Sequence, residues 1–173
     1  MRQFFIRPRT AALAFVAILA CVQGADAAFE HWRFGNGEDG LVIASLFATN
    51  KLVTGGGALS YSPSLTIGCH SEGEPRWTEW LQLNDAVSAS KTIVMSVTID
   101  GQKRADENWL VGHRGKVLIV EGTGVVKRLL SADDLTLSWR FGLLSGRGVA
   151  QFDLDGIDKA IEQIAAACNT PIP

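Results

Sequence analysis

His31, His70 and His113 are the first residues to test for chemistry, because imidazole moves protons and holds transition metals near neutral pH. None stands in an H-x-x-x-H or H-x-x-E-H spacing that would place two ligands on one element. His70 has Glu72 and Glu74 beside it. That trio could bind a metal or share acid and base roles, and it equally fits a solvated turn. His113 lies in Gly112-His-Arg-Gly115, a turn between two strands with no nucleophile visibly paired to the ring. Acyl transfer would call for a Gly-x-Ser-x-Gly elbow, and Leu144-Ser145-Gly146-Arg147-Gly148 reads instead as a hairpin turn. Glu121-Gly-Thr-Gly-Val-Val-Lys127 lacks the spacing and the Lys-Ser/Thr pair of a phosphate loop. Asp133-Asp134 reads as a turn and cap before a strand. The sequence therefore predicts no catalytic residue, no metal site and no cofactor.

Aromatic residues carry more of the signal. There are five tryptophans: Trp32, Trp77, Trp80, Trp109 and Trp139. Alternation puts Trp139 in the core. Trp77 and Trp80 flank Thr78-Glu79 in a polar stretch, where exposed indole would anchor a protein or glycan partner. Together with His70, Glu72 and Glu74 they make a candidate binding surface. Packing of both indoles beneath a loop is the alternative.

These residues belong to a chain with the marks of export. Arg2, Arg7 and Arg9 precede Ala11–Val22, an apolar run of twelve residues, too short to span a bilayer. Ala25-Asp26-Ala27 then supplies a small-x-small cleavage pattern, predicting a leader over residues 1–27 and a mature N-terminus at Ala28. Ile18-Leu19-Ala20-Cys21 also resembles a lipobox, so lipidation at Cys21 is the alternative to ordinary cleavage. Localisation beyond the inner membrane, in the periplasm, follows from either. Loss of the leader removes three Arg and one Asp from 16 basic and 18 acidic residues, leaving 13 against 17, a net charge of −4. Such a balance argues against a nucleic-acid partner, which needs a basic face. No second run is long enough to cross a membrane as a helix.

Of the three cysteines, Cys69 and Cys168 remain after the leader is removed, an even pair in an oxidising compartment. A bridge between them is expected, with two separate buried thiols as the alternative.

The elements that must position all this are mostly strands. Leu41–Phe47, Ser64–Cys69, Trp80–Leu83, Thr92–Ile99, Lys116–Val120, Leu135–Phe141 and Val149–Leu154 are apolar or alternating runs bounded by turn residues. Asp100-Gly101 is a strong hairpin turn, and Gly55-Gly56-Gly57 reads as a hairpin end. Val125–Ser131 predicts two helical turns. Ile157, Ala160, Ile161, Ile164, Ala165 and Cys168 form one stripe of a terminal α-helix, with Asp155 as its expected N-cap. Residues 28–40 and the tail 169–173 are expected to be the mobile pieces. The prediction is a single mainly β (α+β) domain over 28–168. It takes the form of a small antiparallel sandwich or partly open barrel, with the helix tied to the sheet by the disulfide.

The ordered series Ser64-Leu-Thr-Ile-Gly-Cys69, Val97-Thr-Ile-Asp100, Trp109, Leu129-Leu130, Asp134-Leu-Thr-Leu137 and Phe152-Asp-Leu-Asp-Gly-Ile157, then a helix and Cys168, resembles a known family. It is similar to the small periplasmic accessory proteins of type VI secretion, the TagO-like (VasI-like) group, over residues 60–168. Phe152 and Leu154 would face the core as the strand ends, and Gly156 would permit a tight turn into the helix. The resemblance implies a non-enzymatic exported protein whose partners are envelope or secretion-system proteins. Two other functions remain open on the residues: a secreted inhibitor of an envelope hydrolase such as lysozyme, and a small hydrolase or glycan-binding protein using His70, Glu72, Glu74 and Trp77.

Overall fold

The structure, a computed structural model, describes residues 31–37, 40–54, 57–71, 76–89, 91–142 and 146–173. The expected leader, Cys21, Ala28, Glu72, Glu74 and Ser145 lie outside the described residues. Among the described residues, eleven strands and two α-helices follow in chain order: β1 Arg33–Asn36, β2 Leu41–Phe47, β3 Leu52–Val53, β4 Ser60–Tyr61, β5 Ser64–His70, β6 Arg76–Gln82 and β7 Thr92–Ile99. Then come β8 Gln102–Gly112, β9 Val117–Glu121, α1 Thr123–Lys127, β10 Asp134–Arg140, β11 Arg147–Asp153 and α2 Ile157–Ala167. The mainly β fold with a C-terminal helix tied to the sheet is as expected.

Nine strands form one antiparallel sheet in the order β1-β2-β5-β6-β9-β8-β7-β10-β11, not closed into a barrel. β3 and β4 make a separate two-stranded hairpin between β2 and β5. The two ends of the large sheet nevertheless meet. Just beyond β2, the Thr49 N–H donates to the Gln151 carbonyl at 2.7 Å. The Asn50 side-chain amide donates to the Val149 carbonyl at 2.8 Å and accepts from the Gln151 N–H at 2.8 Å. An amide side chain thus substitutes for a ladder bond along the outer edge of β11, which would otherwise offer unpaired backbone groups. Near the other end of β11, the Trp32 indole N–H donates to the Asp155 carbonyl at 2.9 Å.

α2 reinforces the curl. It leaves β11 through Gly156, whose φ of 80° is the left-handed conformation that glycine adopts without strain. The helix then packs on β2 and β5 in the far half of the sheet. Ile157, Ile161 and Ile164 are buried, worth roughly 2 kcal/mol each in apolar transfer. Cys168, at the end of the helix, is bonded to Cys69 on β5 with a Cα–Cα distance of 6.3 Å. Phe152, Leu154 and Trp139 are all buried, as alternation predicts.

Three expectations differ from what is found. Asp155 is not the helix N-cap; Gly156 takes that place with no side-chain cap, and Asp155 N–H is bonded to the Asp153 carboxylate instead. The predicted helix over Val125–Ser131 begins at Thr123 and ends at Lys127, and turns carry the chain on to Ser131, where φ reaches 59°. Residues 33–36, expected to be mobile, form the edge strand β1, since each pairs with β2. β8, the longest described strand at 11 residues, is implied by the turns at Asp100-Gly101 and Gly112–Gly115 but not delimited by any pattern of its own. It returns from β7 through Asp100-Gly101, both at positive φ (50° and 72°), the twist a two-residue hairpin needs.

Candidate functional site

β6 runs through the middle of the sheet, and its alternation sorts the residues that matter. Trp77, Glu79 and Leu81 face the core, whereas Thr78 and Trp80 face outward. A glutamate among core positions is unusual, and Glu79 is fully buried. Arg128 answers it from the turn after α1. Its Nη1 lies 2.6 Å from Glu79 Oε2, and its Nε lies 3.0 Å from Oε1 of Glu107 on β8. Arg128 also donates to the Val125 carbonyl. Glu107 in turn accepts from the indole N–H of the buried Trp109 at 2.9 Å.

The cluster therefore holds two carboxylates on one guanidinium, and Oε1 of Glu79 has no hydrogen-bond partner. Burial pushes Glu79 up to about 7, against the attraction of Arg128 and with a smaller contribution from the Glu107 charge. Chemically it can exchange a proton near neutrality. The Arg128–Glu79 ion pair fastens the end of α1 to β6, on which the helix packs.

The outward face of the same strand carries a different feature. Register aligns Thr66, Trp80, Ile119 and Leu110 in one row across β5, β6, β9 and β8. Trp80 is half-buried because its ring lies over Gly68, beside the Leu41 side chain; a Cβ at Gly68 would meet the ring at 3.0 Å. Leu110 is 51% exposed. Along the same row, the Ser45 hydroxyl on β2 and the Thr66 hydroxyl on β5 share a hydrogen bond of 2.7 Å. The result is an apolar strip on a polar, half-solvated sheet face.

No protein-family model matches the chain. No curated protein and no solved structure matches it either. What the site can do is then a matter of its own chemistry.

The residues singled out from sequence are only partly brought together. Trp77 pairs in register with Cys69 inside the core, next to the disulfide, and is not a surface anchor. Trp80, three residues on, is the outward one. His70 ends β5 opposite Leu41 and Arg76, with its side chain on the outer face and so on the other side of the sheet from Trp77. Glu72 and Glu74 lie outside the described residues. His113 sits in a 3-10 turn with Arg114 and Gly115, all three at positive φ. Among the described residues, no group of three or more His, Cys, Asp and Glu could hold a metal ion, and no helix is long and apolar enough to cross a membrane.

Proposed function

We propose that this is an exported, non-enzymatic protein of the periplasm that works by binding other envelope or secretion-system proteins, as its resemblance to the TagO-like group implies. The observation that carries the reading is the outer strip of Trp80, Ile119 and Leu110, which presents a partly exposed indole on a rigid sheet. Rigid aromatic anchors of this kind dominate the energetics of protein interfaces. An indole supported from beneath by Gly68 has little side-chain freedom left to lose on binding.

The test is affinity capture of cross-linked partners from the envelope, using wild type and two variants. Trp80→Ala and Leu110→Glu should each reduce recovery of the same partners at least tenfold, since interface tryptophans cost about 2 kcal/mol or more when truncated. Equal recovery by all three proteins, with all three folded, would sink the reading.

A second reading, inhibition of an envelope hydrolase, is supported by the β3–β4 hairpin. Val53 and Leu59 stand on it 63% and 70% exposed, as a loop aimed into an active site would be. Inhibition of a c-type or i-type lysozyme at micromolar protein, abolished by Leu59→Asp, is the outcome expected of it. No effect on either enzyme removes it.

A further inference from the structure

Four strands away from Trp80, the outer face holds two exposed arginines side by side. Arg140 on β10 and Arg147 on β11 are direct register partners, so their side chains leave the same face side by side. Like charges placed directly opposite on neighbouring strands are destabilising unless something neutralises them. Among the described residues, neither guanidinium has a hydrogen bond or an ion pair. The acid in the same cleft, Asp106, is already engaged: Ser96 Oγ donates to it at 2.5 Å and Lys103 Nζ lies 3.1 Å away; Asp85 lines the next cleft with Arg147. Those two contacts, the Ser96 bond first, hold Asp106 below the usual carboxylate range, with a weaker contribution from Arg147. Lys103 and Asp106 therefore cancel, and the two arginines remain as the surplus.

Both line a cleft of about 310 Å³ together with Ser138, Val94, Ser96, Lys103 and the Asp106 carboxylate that Lys103 neutralises. We propose that this cleft, on the outer face of β7, β10 and β11, is an oxyanion site that binds a phosphate ester through Arg140 and Arg147.

The choice of ligand follows from the donors. Each guanidinium presents a planar fork and a full positive charge, and a carboxylate brings only two oxygens and one charge to the two of them. A phosphate monoester offers three free oxygens and up to two charges, enough for both forks and the Ser138 hydroxyl. The cleft is larger than a phosphate alone. Val94, 58% exposed on its wall, provides apolar surface for the rest of the ester. The chain as a whole is acidic, with 16 basic against 18 acidic residues, so this surplus of positive charge is local.

A soluble phosphate ester and a phospholipid headgroup share this chemistry, and two arms of one experiment distinguish them. The first is calorimetric titration of the disulfide-bonded protein with glycerol 3-phosphate at low salt. The second is co-sedimentation with vesicles containing phosphatidic acid, whose headgroup is a phosphate monoester, compared with phosphatidylcholine vesicles. Arg140→Ala and Arg147→Ala are run beside Lys127→Ala, which removes an exposed cation on α1 and serves as the control. Saturable binding that falls at least tenfold in both arginine variants and is unchanged in the control supports the site; the arm that shows it names the source. No saturable binding in either arm overturns the proposal, and so does an equal loss in the Lys127 variant.

Discussion

Replacing Cys69 or Cys168 with alanine should lower the unfolding free energy by about 4 kcal/mol. The bridge joins residues 99 apart, and closing a loop of that size removes a large part of the unfolded chain's freedom. It also ties α2 covalently to β5, where the helix otherwise meets β2 and β5 by packing. Without the bond, Ile157, Ile161 and Ile164 still bury their side chains, but the last turn is held only by Ile164, Ala165 and the buried Cys168 position. Urea unfolding should therefore show a lower midpoint in each single variant, and the double variant should fall no further, because all three lose the same bond. Hydrogen exchange in the reduced wild type should rise first in the last turn of α2. A midpoint untouched by reductant would mean that the bridge adds nothing to stability.

The same contrast between local pattern and long-range contact explains what the sequence revealed. β2 and β7 were legible to the residue because their apolar runs stop at turn-forming neighbours, and α2 because its stripe repeats over three turns. The cysteine pair was legible from compartment and parity rather than from geometry. β8 was not, since its first five residues, Gln102 to Asp106, extend beyond the core and are all exposed, so no alternation marks them. Its local signals are the turns at its two ends, Asp100-Gly101 and Gly112–Gly115, each of which demands a strand on both sides. β1 is likewise defined by pairing alone.

For the candidate site, the spacing of Trp77 and Trp80 held the answer. Residues three apart in a strand lie on opposite faces, so the two indoles could not share a surface. The same count places Glu79 with Trp77 and Leu81 in the core. A polar composition around it hid that, and Arg128, 49 residues further along, could be matched to it only by the fold.

Arg128→Ala should be as damaging as losing the disulfide, on the order of 3–5 kcal/mol at pH 8, because removing one member of a buried ion pair leaves the other uncompensated. Glu79 would keep no partner, and Glu107 would retain only the Trp109 indole. The loss must depend on pH, and its direction is fixed by linkage. Glu79 is raised from 4.5 to about 7 in the folded protein, so the native state holds this proton more tightly than the unfolded chain does. Its contribution is fully present below pH 4.5 and is lost as pH rises through about 7, a span on the order of 3 kcal/mol.

Glu79→Gln keeps an oxygen acceptor for Arg128 and abolishes the titration. Its stability relative to wild type should therefore climb between pH 5 and pH 8. In Arg128→Ala the opposing attraction is gone, so Glu79 shifts further upward and the decline continues above pH 8. Adding Glu79→Gln to that variant should recover most of the loss at alkaline pH and little at pH 5. Urea midpoints for the four proteins, taken at unit steps from pH 5 to pH 9, give both the slope and the coupling. Parallel pH profiles for wild type and Glu79→Gln would show that the buried carboxyl does not titrate in this range. The proton-linked fastening of α1 would then be lost, and Arg128 would be left with a purely structural role.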